Sequence, residues 1–178
     1  MNFEAYLRRV PEFPRPGITF IDVMPLLSDA LALRAAIDAL CAMVADVKVD
    51  RVVAPEARGF LLGAPLAYAL GVGFTPARKP GRLPADAIRS TYQLEYGEDA
   101  LEMHRDGIRA SERVLLVDDL LATGGTVKAA ADLVERLGGH VVAAVFLVEL
   151  TDLGGRSGLL RQYSVKSLIQ TQEAASVR

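Results

Sequence analysis

The sequence predicts an α/β fold, in which a central, mostly parallel sheet is flanked by helices, and three stretches carry that expectation. Residues 114–117, Val-Leu-Leu-Val, form a short, branched, wholly apolar run, the pattern of a strand covered on both faces, followed by a glycine turn and a helical stretch. Residues 51–54 repeat the arrangement, with a turn at 55–59 and a helix through Leu70. His140–Leu150 contains the most apolar run of the chain and follows Gly138 and Gly139, which supply a turn. Strands alternating with helices in this way build parallel sheets. The 178 residues suffice for one such domain with a full core and are too few for two, so a single domain over 1–178 is expected.

In chain order, residues 2–10 can make a short helix, after which Pro11, Pro14 and Pro16 force an extended path through 13–20. That segment crosses a surface, and Phe13, Ile18 and Phe20 suit it to strap the core. Ser28 or Asp29 can cap a helix in which Leu33, Ile37, Leu40 and Val44 recur at helical spacing. Gly73–Ala77 reads as a second parallel strand, closed by Arg78 and Lys79. Residues 80–97 are rich in Pro, Gly and polar side chains, a long loop of the kind that forms lids, although 90–96 alternate weakly. Residues 101–105 are expected to return as a strand with His104 at the surface. In 127–137, Val127, Ala130, Ala131, Val134 and Leu137 share one helical face, and Gly138 and Gly139 end the helix. Residues 163–169 read as an edge strand and 170–178 as a loose polar tail.

Composition removes several functional classes. Half the chain is hydrophobic (51%), which excludes disorder. The 20 basic and 22 acidic residues leave a net charge of −2 with no long run of either sign, which disfavours nucleic-acid binding. Cys41 is the only cysteine, so no intrachain disulfide forms, and its apolar helical neighbours mark it as a core residue. The first residues hold early acid and no apolar signal core, and residues 140–148 stop at Glu149 far short of a membrane span. A cytoplasmic enzyme fits these properties.

The chemistry concentrates in 114–126, VLLVDDLLATGGT. Gly124 and Gly125 let successive N–H groups point into one concavity, and the helix that follows adds the positive end of its dipole. Thr123 and Thr126 add hydroxyl donors, so a phosphate monoester fits without a lysine. Asp118 and Asp119, at the strand end, would repel a bare polyphosphate and suit vicinal hydroxyls or a metal ion. Together these describe a pocket for a phosphorylated sugar. The loop after residues 51–54 is a second strand–turn–helix anion site, to which Arg58 adds a permanent fork of donors. Arg78 and Lys79, at the carboxyl end of a parallel strand, lie on the side where open α/β sheets bind ligands.

VLLVDDLLATGGT resembles the phosphoribosyl-pyrophosphate (PRPP) motif of the type I phosphoribosyltransferases. Five further stretches, FPRPGITFID at 13–22, EARGFLLG at 56–63, RKPGRLP at 78–84, YQLEYG at 92–97 and LVELTDLGGR at 147–156, are similar to the adenine-using branch of that family, in order across nearly the whole chain. The resemblance implies the type I phosphoribosyltransferase fold, with a small hood from about 1–27 and the C-terminal segment, and a flexible flap over about 80–105. It implies transfer of the phosphoribosyl group of PRPP to adenine, giving AMP and pyrophosphate in purine salvage, with Mg²⁺ held mainly by PRPP and a homodimer as the assembly.

By the same resemblance, Ala122, Thr123, Gly124, Gly125 and Thr126 hold the 5′-phosphate, and Asp118 and Asp119 the ribose. Arg58, Gly59, Arg78 and Lys79 meet the pyrophosphate, and the peptide bond between Glu56 and Ala57 is expected to be cis. Thr19, Phe20 and Leu150 bind adenine, with Phe20 stacking and the Thr19 backbone reading the base edge. Glu95 acts on a proton of the purine from the flap, flanked by Tyr96. Ile21 departs from the many relatives that carry a basic residue there. A PRPP-sensing regulator would need an added DNA-binding segment and a basic surface, and the sequence has neither.

Overall fold

A computed structural model gives the structure, which describes residues 1–94, 97–159 and 162–172. Five strands form the central sheet: β3 (Arg51–Pro55), β4 (Gly73–Ala77), β7 (Arg113–Leu121), β8 (His140–Leu150) and β9 (Ser164–Thr171). Their order is β4-β3-β7-β8-β9, and every neighbouring pair is parallel. Alternation along the strands divides the core into two layers. Val52, Ala54, Leu115, Val117 and Val145 face the helices α2 (Ala30–Met43) and α3 (Gly59–Leu70), whose Leu40, Leu62 and Leu66 are fully buried. Val53, Val114, Leu116 and Phe146 face α4 (Gly125–Arg136), through Val127, Ala130, Leu133 and Val134. Each fully buried aliphatic side chain contributes about 1.5–3 kcal/mol by leaving water, so the two layers fix the sheet from both sides.

Local signals explain the helices. Asp29 caps α2, its Oδ1 accepting from the N–H groups of Leu31 (3.0 Å) and Ala32 (2.8 Å), a cap worth about 1 kcal/mol. Gly63 lets α3 lie against β3, since a Cβ there would come within 2.7 Å of Ala54 Cβ and 2.8 Å of Phe74. A five-residue helix, α1 (Met24–Ser28), precedes α2, and α5 (Gly155–Leu159) follows β8.

Three expectations change. The amino-terminal stretch is helical only as a 3-10 turn at Phe3–Tyr6; it continues as β1 (Arg8–Pro11), paired antiparallel with β2 (Thr19–Asp22). A lone helix of that length is unstable, whereas the hairpin gains the ladder and an Arg8–Asp22 ion pair of 2.9 Å. Residues 80–97 are not one long loop. Within them lies β5 (Ala87–Leu94), paired along its whole length with β6 (Gly97–His104), and Ile88, Ser90 and Tyr92 alternate inward while Leu101 and Met103 are fully buried. The polar tail begins later than expected, because Gln170 and Thr171 still belong to β9. Arg9 ties the hairpin to that strand, its Nη2 donating to Thr171 Oγ1 at 2.6 Å and its Nη1 to the Gln172 carbonyl at 3.2 Å.

Candidate active site

Strand order decides where a site can form. Connections run one way from β3 to β4 and the other way from β7 to β8, so the carboxyl ends of the adjacent strands β3 and β7 flank a topological switch point, the crevice where doubly wound sheets take ligands. The two loops singled out in the sequence, 55–59 and 122–126, leave the sheet on either side of it. Between them lies a cavity of about 410 Å³, lined by Glu56, Ala57 and Arg58 from the first loop, Asp118, Asp119 and Leu120 from the end of β7, Ala122 and Thr126 from the second loop, and Lys79 and Tyr92 beside them.

Asp118 and Asp119 are not at an exposed strand end. β7 continues to Leu121, so both carboxylates are buried, 8% and 4% exposed. Asp118 Oδ1 accepts from the Asp119 N–H at 2.9 Å, and Gly59 gives it room, since a Cβ on Gly59 would lie 3.0 Å from that oxygen. Burial, reinforced by the neighbouring Asp119 charge, pushes the Asp118 carboxyl well above the usual carboxylate range. Burial also raises Asp119, against the opposing pull of Arg58. Arg58 Nε lies 2.8 Å from Asp119 Oδ2, yet it is not aligned to donate, and that buried oxygen has no hydrogen-bond partner. A buried acceptor without a donor is rare and costly in a native protein.

The second loop runs straight into a helix start. Gly124 takes φ +85°, the left-handed region that glycine adopts without strain, and α4 starts at the next residue with no side-chain cap. Its first-turn N–H groups therefore lack intrahelical and side-chain acceptors, the arrangement that suits helix starts to anions. Thr123 and Gly125 line a neighbouring groove of about 830 Å³, which Lys128 and the β5 residues Ser90, Thr91 and Tyr92 also border. Tyr92 borders both spaces, which places the two side by side along the β5–β6 hairpin.

The other candidates are distributed unevenly. The Glu56–Ala57 bond is cis, as expected. Arg58 lies over the ring of Phe20, 5.2 Å from its centroid, and Phe13 meets Phe20 edge-on at 5.4 Å, which joins the amino-terminal hairpin to the Arg58 side of the cavity. Thr19 lies next to it in β2, opposite Pro11. Ile21 is a core residue, 2% exposed, on the opposite side of the strand. Arg78 faces Glu56 in a two-pronged pair (3.0 and 3.2 Å) and does not line the cavity. Leu150 is buried in the same core cluster as Ile21 and Ile169. Glu95 and Tyr96, between β5 and β6, fall outside the described residues.

Sequence reasoning missed two groups. Glu149, 3% exposed, accepts from Arg156 Nε (2.7 Å) and Nη2, Ser167 Oγ (2.7 Å) and Gln170 Nε2 (3.2 Å). This cluster anchors the turn after β8, where Gly155 abuts the phosphate loop: a Cβ on Gly155 would come within 2.1 Å of the Ala122 carbonyl oxygen. The pairing of Glu149 with the arginine of the LVELTDLGGR stretch was its only trace in sequence. The second group, Asp99 and Tyr92 around Lys79, carried no recognisable spacing.

The family model for the phosphoribosyl transferase domain matches residues 27–176. An adenine phosphoribosyltransferase of Desulfitobacterium hafniense is 52% identical over 170 residues, 96% of this chain and 98% of the relative. The crystal structure of adenine phosphoribosyltransferase from Thermoanaerobacter pseudethanolicus superposes with a TM-score of 0.92 at 52% identity, covering 95% of this chain and 98% of that one. The enzyme from Saccharomyces cerevisiae, solved with an imino-altritol bisphosphate and adenine, superposes with a TM-score of 0.87 at 41% identity over 93% of this chain and 96% of that one. With the parallel sheet, the glycine loop at α4 and the acidic pair at the switch point, these matches establish that the chain belongs to the phosphoribosyltransferase family, in its adenine phosphoribosyltransferase branch.

Proposed function

We infer that this enzyme transfers the phosphoribosyl group of PRPP to adenine, forming AMP and pyrophosphate, a purine-salvage reaction. The observation that carries the reading is Asp119 Oδ2, buried and without a donor beside the helix-terminal anion site. A ribose whose 5′-phosphate sits on the first turn of α4 offers its hydroxyls as the missing donors. In the reaction the bond from C1′ to the pyrophosphate oxygen breaks, the bond from C1′ to adenine N9 forms, and the imidazole proton of the base is released.

Each group of the site then has a task. The first turn of α4 with Thr123 and Thr126 holds the 5′-phosphate, and Asp119, backed by Asp118, orients the ribose, which supplies the positional part of the catalysis. Arg58 and Lys79 answer the charge developing on the leaving pyrophosphate. Phe20 offers a ring to the purine, and the Thr19 backbone presents a carbonyl to the 6-amino group and an N–H to N1, a match that a 6-oxopurine lacks. Glu95 receives the purine proton in this reading. The base pocket lies under the hairpin of β1 and β2, and the hairpin of β5 and β6 forms the flap.

Mg²⁺ belongs to the same proposal. Among the described residues no three acidic, histidine or cysteine side chains gather as a cage, and the Asp pair would meet an ion carried in by substrate phosphates only through ribose hydroxyls or water. Bound there, Mg²⁺ offsets charge on the pyrophosphate. A homodimer is proposed, with the exposed Leu61 and Tyr68 of α3 as an apolar surface a second copy would cover. No described helix is long and apolar enough to cross a membrane; the cytoplasm is the proposed compartment, in keeping with the free thiol of Cys41. The decisive test supplies purified enzyme, Mg²⁺ and PRPP with equimolar adenine, hypoxanthine and guanine. AMP is the expected product, and IMP or GMP forming as fast would overturn the adenine assignment.

A further inference from the structure

Lys79 reaches the cavity from the end of β4, but its charge is held by the flap hairpin. Its ammonium contacts Asp99 Oδ2 and donates to Tyr92 Oη at 3.2 Å, and Tyr92 Oη donates to the same Asp99 oxygen at 3.1 Å. The ammonium also lies 5.7 Å from the centroid of the Tyr92 ring. Tyr92 and Asp99 are directly opposed across the β5–β6 ladder, so their side chains project from one face of the hairpin. The other Asp99 oxygen accepts from the Ala100 N–H at 2.7 Å, which fixes the carboxylate from behind. Lys79 and Tyr92 line the cavity; Asp99 does not.

We propose that Asp99 is a positioning residue that holds the Lys79 ammonium and the Tyr92 hydroxyl on the cavity wall that receives the pyrophosphate end of PRPP. A lysine side chain has four rotatable bonds and loses much of its freedom when it must meet a ligand, so a partner that orders it beforehand lowers the cost of binding. The Asp99 carboxylate supplies that order from outside the substrate space. The same contact joins the hairpin to the end of β4, so the element that covers the cavity and the cation that faces pyrophosphate are set together. Tyr92 adds a rigid spacer, 9% exposed, whose hydroxyl bridges the two charges. The inference rests on the phosphoribosyl-transfer reading and adds to it a residue that touches no substrate.

The experiment uses the reverse reaction, in which AMP and pyrophosphate give adenine and PRPP, because it separates the two ends of the site. Asp99→Asn is expected to raise KM for pyrophosphate, and KM for PRPP in the forward direction, roughly tenfold, while KM for AMP and for adenine stay within about twofold. Tyr92→Phe, which keeps the ring, should give a smaller shift of the same kind. In a Lys79→Met background, adding Asp99→Asn should change nothing further, since Asp99 acts through that lysine. An unchanged KM for pyrophosphate in folded Asp99→Asn would overturn the proposal, as would full additivity with Lys79→Met. Should Asp99→Asn fold poorly, the Tyr92→Phe shift decides by itself. Wild-type enzyme that forms no AMP at all would instead refute the underlying function.

Discussion

Two buried acidic sites sit at the carboxyl ends of neighbouring strands, and they are built to opposite rules. On β7, Asp118 and Asp119 are 8% and 4% exposed, and Asp119 Oδ2 faces Arg58 as an ion pair yet accepts no hydrogen bond. On β8, Glu149 is 3% exposed and its oxygens are met by Arg156, Ser167 and Gln170. Burial raises the first pair's affinity for protons, whereas at Glu149 the hydrogen bonds from Arg156 outweigh burial and hold the carboxyl below its usual range. A charge whose partners are all within the chain serves the fold. A carboxylate whose hydrogen-bonding capacity is left unspent on a cavity wall is kept for something that arrives later.

The largest expected effect is on stability. Arg156→Met leaves Glu149 buried without its cation and should cost about 3 kcal/mol or more, read by urea unfolding, while turnover per folded molecule changes little. Asp119→Asn should do the reverse: kcat falls about 100-fold because the ribose is no longer oriented, and the melting temperature stays the same or rises. A variant Asp119→Asn that unfolds easily yet turns over normally would erase the distinction between the two sites.

The pH dependence of stability should separate them by sign. For Asp118 and Asp119 the folded-state pKa is raised, so their stabilising contribution is complete below the unfolded value of about 3.9 and is lost as pH rises through the folded value. For Glu149 it is lowered, so its contribution is complete above about 4.3 and is lost as pH falls through the folded value. Asp118→Asn should therefore flatten the decline of stability on the rising-pH side, and Glu149→Gln the decline on the acid side, each by up to about 1.4 kcal/mol per pH unit. Thermal melts from pH 3 to pH 9 in the absence of substrates would show it. A further effect concerns the point where the two regions touch. Gly155→Ala pushes a methyl group toward the Ala122 carbonyl, and the displaced phosphate loop should raise KM for PRPP roughly tenfold, about 1.4 kcal/mol, with KM for adenine unchanged.

Local and periodic properties were legible in the sequence, because they depend on neighbours along the chain. The apolar runs of β3, β7 and β8 announce strands covered on both faces, Ser28 or Asp29 announces the start of α2, which Asp29 caps, and Gly124 with Gly125 announces a turn into a helix. The two loops proposed to hold anions could be singled out for the same reason: each is a contiguous stretch whose proposed chemistry rests on its own residues. Tertiary structure alone decided which charges find partners. Arg78 turns to Glu56 and Lys79 to Asp99 across 22 and 20 residues, and Leu150 turns into the core. It also decided that 87–94 pair in full with 97–104 against α4, beyond the return strand expected at 101–105, since a strand with few apolar residues is stable only when a partner strand and a helix face exist to receive it. Burial of the aspartate pair follows from the same cause. Sheet order brings β3 and β7 together, and the missing Cβ of Gly59 admits α3 close enough to close the space around Asp118.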